Sequence, residues 1–168
     1  MKKIYLSVVC LLISIPLIAQ LYVEPEKEVE CSVFLAKEGR GRAQQGLEIW
    51  DDYIFSCEDG GHGNIYDFKS ADPKPVAGFE LASSHPDNHV NNVCFGVETK
   101  RGASFPLLYI TNGKVGSELE WLCFVESITR RGKRFSSEIA QTIELDGSKW
   151  AEKGYVPIFG APSWLVDR

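Results

Sequence analysis

Short apolar runs recur along the chain, and long helical periodicity is missing after the first 20 residues. The runs are rich in β-branched and aromatic side chains and are bounded by glycine, proline, asparagine and aspartate, as strands joined by turns are. Asn112-Gly113 is a strong turn dipeptide. The pattern therefore predicts an all-β domain. The predicted strands lie at residues 47–50, 53–57, 64–68, 76–81, 92–97, 106–111, 121–125 and 139–145.

Several of the predicted strands are apolar on both faces. This holds for residues 53–55, 107–110 and 121–125. A sheet with one face in water shows strict alternation of apolar and polar residues. Strands that are apolar on both faces instead belong to sheets that are covered on both sides. The pattern therefore predicts a stack of sheets.

The order of the strands repeats along the chain. Ile49 and Val93 begin matching segments that are 44 residues apart. A period in this range, with about four strands in each unit, is typical of propeller blades. Two further pairs of segments match, namely 53–56 with 108–111 and 65–68 with 123–126.

Each unit has a strand, a turn, a Tyr-Ile strand and an outer pair of strands. Over residues 45–145, this order of elements resembles the blade repeats of propellers of the broad YVTN/NHL kind. The segment His89-Val90-Asn91-Asn92-Val93 is similar to the His-x-Asn start of an inner strand in some exported bacterial proteins of this kind. Gln44-Gln45-Gly46 takes the same place in the first unit and departs from that pattern.

The resemblance implies propeller-like stacked antiparallel four-stranded sheets. Two units do not close a ring of about four to eight blades, so the ring is expected to be incomplete. The apolar residues 164–166 near the end predict a chain that is truncated at its C-terminus. The alternative is a complete small β-sandwich, for which the length suffices.

The N-terminus predicts a cleavable signal peptide over residues 1–19. Lys2 and Lys3 are followed by an uncharged run over 4–18 and by the small residue Ala19, which is the layout of a secretory signal. The run is shorter than the roughly 20 residues of a membrane span. We therefore expect a periplasmic or extracellular protein without a membrane span after cleavage. Residues 20–44 form a lead-in segment, and 45–168 form the β-repeat domain.

The balance of charge is acidic. The chain has a formal net charge of −5, and loss of Lys2 and Lys3 with the signal peptide leaves −7. This argues against nucleic acid as a partner, because binding to phosphates needs cationic surface. One basic cluster, Arg130-Arg131-Gly132-Lys133-Arg134, predicts a turn between strands. Contact with a polyanion is the alternative role for this cluster.

Four cysteines remain after residue 19, and they are the disulfide candidates. An oxidising compartment permits disulfides, and four cysteines allow three pairings that the sequence does not distinguish. Three of them lie in apolar runs, where a thiol packs as a small buried hydrophobe, so both alternatives stay open. The four are Cys31, Cys57, Cys94 and Cys123.

A polar loop over residues 84–92 is the candidate ligand-binding site. Pro86 and the polar run predict a loop, and its imidazole, carboxylate and amide groups suit a polar ligand. His85 and His89 are weak candidates for metal ligands, and no cofactor is expected. The alternative is a connecting loop whose side chains satisfy nearby backbone groups. The candidate residues are His85, Asp87, His89, Asn91 and Asn92.

No catalytic motif stands out, since no G-x-S-x-G elbow occurs in the chain. The sequence therefore favours an exported β-repeat module that binds an unknown small polar ligand or a protein partner. The alternatives are a periplasmic or secreted hydrolase or lyase that acts on carbohydrate, and a propeller fragment without a function of its own. Self-association through exposed sheet edges is a further expectation.

Overall fold

The structure is a computed structural model that describes residues 44–72 and 74–154, apart from the side chain of Trp150. These residues lie in one compact unit, Val33–Arg168. The predicted signal peptide, Cys31 and residues 164–166 lie outside the described residues. The elements are β1 Gln44–Trp50, β2 Tyr53–Glu58, β3 His62–Asp67, β4 Ala77–Glu80, β5 Asn92–Phe95, β6 Leu108–Thr111, β7 Leu122–Arg131, β8 Arg134–Glu144 and the single turn of helix α1 Ser148–Ala151.

The eight strands form two antiparallel sheets of four strands each. Their orders are β1-β2-β3-β4 and β5-β6-β7-β8, so each sheet is a simple meander, and within the described residues neither sheet closes on itself. The prediction of an all-β chain with two four-stranded units is confirmed. The matching sequence segments fall on corresponding strands, because 53–56 lies in β2 and 108–111 forms β6.

The described part of the chain contains no helix that is long and apolar enough to cross a membrane.

The two sheets share one apolar core. β1 lies against β5, and β4 lies against β8. Phe55 in β2 is fully buried, and its ring meets those of Phe95 and Phe105 edge-on, with centroids 4.9 and 5.1 Å away. Edge-to-face pairs of this kind add to the stabilisation from burial alone. This aromatic cluster holds the first sheet against the second.

The basic cluster forms the tip of the β7–β8 hairpin, as the sequence predicts. Arg131 pairs with Arg134 across the hairpin, which leaves Gly132 and Lys133 as a two-residue turn. Gly132 has a φ of 63°, a conformation that glycine adopts without steric cost. The hairpin is longer than the sequence pattern indicates, because residues 134–138, which are polar apart from Phe135, extend β8 ahead of its apolar run.

The three described cysteines are thiols. Cys57 and Cys123 are buried, and Cys94 is half-buried. Burial, together with the smaller effect of the charges of Glu126 and Glu58, raises the pKa of the Cys57 thiol from 9.0 to about 12. Burial also raises the pKa of Cys123. Cys57 and Cys123 therefore serve as small apolar packing groups in this fold.

The raised pKa of Cys57 predicts a loss of stability in alkali. The thiol ionises in the unfolded chain near pH 9 but resists ionisation in the fold until about pH 12, so its contribution is present below pH 9 and is lost as the pH rises. At pH 10.5 we expect the free energy of unfolding to fall by about 2 kcal/mol from this group. Urea unfolding at pH 8 and pH 10.5 measures the change. The free energy of unfolding of Cys57→Ala should fall clearly less between these pH values. An equal fall in the variant and the wild type would show that other groups cause the loss of stability.

Candidate functional site

Three loops meet at one end of the two sheets. Alternate connections of an antiparallel meander lie at the same end, so the β2–β3, β4–β5 and β6–β7 loops are neighbours. They span residues 59–61, 81–91 and 112–121, and we call this end of the molecule the loop face. Hydrogen bonds join the loops. Gly60 N donates to Asn88 O at 2.6 Å, and His89 N donates to Asn112 Oδ1 at 2.9 Å.

A buried asparagine shapes the β4–β5 loop. The Asn88 side chain is fully buried, and its amide donates to the Ser83 carbonyl at 2.8 Å and to the Ser83 hydroxyl at 3.1 Å. Its Oδ1 accepts from Val90 N at 3.1 Å. Val90 has a φ of 42°, a strained conformation for a β-branched residue. Such strain persists only where the surroundings impose it, so the loop has one fixed shape.

Glycine allows the β2–β3 turn to touch the β4–β5 loop. Gly60 and Gly61 have φ values of 92° and 93°, as expected for a glycine-rich hairpin turn. A Cβ on Gly61 would stand 2.7 Å from Ser84 Cα, which is closer than two carbon atoms can approach. The two loops therefore form a continuous surface.

Every histidine of the chain lies on this face. The chain has three histidines, and each ring meets a carboxylate from another element or loop. These imidazole–carboxylate pairs place a donor next to an acceptor, which is the arrangement that hydroxyl and amino groups of a ligand can match. The distances are 3.1 Å for His62 Nδ1–Glu80 Oε1, 3.1 Å for His85 Nε2–Glu118 Oε1 and 2.8 Å for His89 Nδ1–Asp59 Oδ1.

The other predicted residues take different places. The Lys114 ammonium is hydrogen-bonded to Asp87 and lowers the pKa of that carboxyl. Asn91 N donates to the Thr111 carbonyl at 3.0 Å, and Asn92 begins β5 opposite Thr111. The backbones of these two asparagines therefore extend the sheet, while His85, Asp87 and His89 belong to the loop face.

His85, Asp87 and Glu118 form a group whose donor atoms all lie within 4.8 Å of one another. Asp87 N donates to His85 Nδ1 at 3.1 Å, so a neutral ring carries its proton on Nε2, toward Glu118. This tautomer follows from the hydrogen bonds, and it leaves neither ring nitrogen open to a metal. The group acts as a hydrogen-bonded link between the two loops. His89, the second histidine considered for a metal, is not part of it.

Glu118 is one of the site residues that sequence reasoning missed, as are Asp59, Glu80 and Lys114. It stands in the β6–β7 loop, 31 positions after Asp87, and its run of acids has no local feature that points to His85. The Asn112-Gly113 turn indicates only that a loop begins there. Pairing of β5 with β6 and of β6 with β7 carries the two loops to the same end.

An open cleft of about 190 Å³ lies between the β2–β3 and β4–β5 loops. Ser84 closes one side, and its hydroxyl donates to Gly60 O at 2.9 Å. The cleft is smaller than the roughly 300–1,000 Å³ of a pocket that encloses a whole ligand, so it suits one polar group of a larger molecule. Its lining is Asp59, Gly60, His62, Glu80, Ser84, His85 and Pro86.

Comparison with models of protein families finds no match for this chain, and comparison with curated proteins finds none either. The function therefore has to be argued from the site.

Proposed function

We propose that the protein is an exported binding module whose loop face recognises a polar ligand or protein partner through amino and hydroxyl groups. The observation that supports this is that all three histidines, each paired with a carboxylate, lie on one face, where His62 and His85 line an open cleft. Export follows from the predicted signal peptide and places the module in the periplasm or outside the cell.

The charge of the face selects the kind of group that binds. Four carboxylates that are not buried, those of Asp59, Glu80, Asp87 and Glu118, stand on it beside the ammonium of Lys114. An acidic cleft favours a cation or a neutral hydrogen-bonding group over an anion. An amino sugar or a lysine side chain of a partner carries such a group.

Binding is better supported than hydrolysis. Glu58 and Glu126 are fully buried, out of reach of a substrate, whereas glycoside hydrolysis needs two carboxylates on either side of the scissile bond. Asp59 and Glu80 line the cleft, and each is hydrogen-bonded to a histidine. A hydrolase or lyase that acts on carbohydrate remains the alternative proposal.

We further propose that the two sheets are blades of an incomplete propeller of the YVTN/NHL-like kind. Their identical strand order and the contact of β1 with β5 support this. Leu47 and Ile49 on the edge strand β1 are 56 % and 45 % exposed. An exposed apolar edge favours self-association, so a second copy is one partner that the fold suits.

The binding proposal predicts that loss of one cleft carboxylate weakens the binding of an amino sugar oligomer. We expect Asp59→Asn to lower the affinity for the tetramer of glucosamine roughly tenfold or more, because a hydrogen bond to a charged group contributes about 1.5–3 kcal/mol. Isothermal titration of the full chain measures this.

Asp72→Asn is the matched control, since Asp72 lies in the β3–β4 connection at the opposite end. The proposal predicts wild-type affinity for this variant. Equal affinity of Asp59→Asn and wild type, or the absence of binding by the wild type, would contradict a cationic ligand in the cleft.

A further inference from the structure

A second groove runs along the β7–β8 hairpin, toward the end opposite the loop face, and we call it the hairpin groove. Its volume is about 530 Å³. Side chains alternate between the faces of a strand, so the register of β7 and β8 places three cross-strand pairs on one face. These pairs, which line the groove, are Ser127–Glu138, Thr129–Ser136 and Arg131–Arg134.

Two arginines stand directly opposite one another in the hairpin groove. Like charges at directly opposed positions destabilise a pair of strands. In the part of the chain that the structure describes, no carboxylate lies within ion-pairing distance of Arg131 or Arg134. The one carboxylate of the groove, Glu138, is bound by Lys100 at 2.8 Å. A ligand anion between the two guanidinium groups would relieve their repulsion.

The arginine before this pair has another role. Arg130 projects to the other face of β7, where its guanidinium lies 5.1 Å from the ring centre of Tyr53 and 5.8 Å from that of Phe135. Contacts of this kind hold a cation in place over an aromatic ring. Of the three hairpin arginines, Arg131 and Arg134 are therefore the two available to a ligand in the groove.

The floor of the groove holds a polar atom without a partner. Ser127 is 1 % exposed, and its Oγ has no hydrogen-bond partner. A buried hydroxyl in this state carries an unrecovered desolvation cost, and most such groups in native proteins are satisfied. A ligand oxygen in the groove would satisfy it. Ser127 lies four residues before Arg131 in β7, so its hydroxyl would meet a different part of the ligand. The opposed arginines indicate an oxyanion, and the unpaired hydroxyl independently indicates a polar ligand in the groove.

We propose that the hairpin groove binds a small molecule that carries an oxyanion, of the size of a phosphorylated or sulfated sugar. The arginine fork matches the oxygens of phosphate, sulfate or carboxylate, and the hydroxyls of Ser127, Thr129 and Ser136 match the rest of such a ligand. The volume of this open groove leaves room for a ligand of that size. This site stands apart from the loop face, whose acidic charge disfavours anions.

Isothermal titration of the full chain with glucose 6-phosphate tests the proposal. We expect binding that weakens as salt is added, since screening acts on the charges, and no binding of glucose at the same concentration. Arg131→Gln and Arg134→Gln should each weaken binding roughly tenfold or more. Glucuronic acid and inorganic phosphate distinguish a carboxylate site from a phosphoryl site, and binding of either supports an oxyanion site.

Two further variants separate this site from general charge effects. Arg101→Gln removes the same charge from an exposed position in the β5–β6 loop and should bind as the wild type does. Ser127→Ala should weaken binding without lowering the melting temperature, because no protein group loses a partner. Equal weakening by Arg101→Gln and Arg131→Gln, or failure of all three anions to bind, would overturn the proposal. Neither result bears on amino sugar binding at the loop face.

Discussion

Replacing Glu126 with alanine is expected to lower the free energy of unfolding by about 3 kcal/mol or more. The carboxylate is fully buried in β7 and accepts hydrogen bonds from Ala82 N at 2.8 Å, from Ser83 N at 2.9 Å and from the Ser137 hydroxyl. It therefore ties the β4–β5 loop, which follows the first sheet, to two strands of the second. Removal leaves buried donors without an acceptor. Urea unfolding measures the loss.

Two further variants serve as comparisons for Glu126→Ala. Glu144→Ala removes an exposed carboxylate of β8 and should change stability by less than about 0.5 kcal/mol. Glu126→Gln keeps the shape but turns one acceptor into a donor, so it should fall between wild type and Glu126→Ala and stays measurable if the alanine variant does not fold. A loss no larger in Glu126→Ala than in Glu144→Ala would show that these hydrogen bonds contribute little.

Phe55→Ala is expected to cost about 3–5 kcal/mol. The ring is fully buried and lies edge-on to four other rings that come from both sheets, so its loss opens a cavity between the sheets. This cost is a large part of the roughly 5–15 kcal/mol by which a domain is stable. Thermal and urea unfolding, followed by circular dichroism, measure it. The four rings are those of Phe79, Phe95, Phe105 and Phe135.

The control for this variant is Phe68→Ala, because Phe68 is 52 % exposed and fills no such space. We expect a change below about 1 kcal/mol there. Phe55→Leu fills part of the cavity, so its free energy of unfolding should fall less than that of Phe55→Ala. This variant can be compared with Phe68→Ala if Phe55→Ala does not fold. Similar losses of stability in Phe55→Ala and Phe68→Ala would show that Phe55 does not lie at the centre of the core.

Local pattern alone predicted most of the strands. The run at residues 53–57 became β2, and the run at 106–111 contains β6, because strand formation depends on side-chain type and on turn residues that are close in the sequence. The boundaries of β8 were predicted less well. Residues 134–138 are polar apart from Phe135, and their place in the strand depends on pairing with β7, which is a tertiary property.

Part of the candidate site was also predicted from the sequence, namely His85, Asp87 and His89. These residues lie in a polar run that contains Pro86, and that composition predicts a loop. Their partners were not predicted, since Glu118 and Lys114 lie in a different loop. Which acid faces which imidazole depends on the order of strands in the sheets, and no spacing within a single loop encodes that order.

The sequence by itself determined the class of fold, the four-strand repeat and the polar character of the β4–β5 loop, since each follows from the types and the order of residues along the chain. Only the tertiary structure decided that the hydroxyl of Ser127 is buried without a partner, and that Glu126 is buried as an acceptor for the β4–β5 loop. Cross-strand register and loop contacts arise when distant segments pair, and their energies come from packing and hydrogen bonds that no local pattern contains.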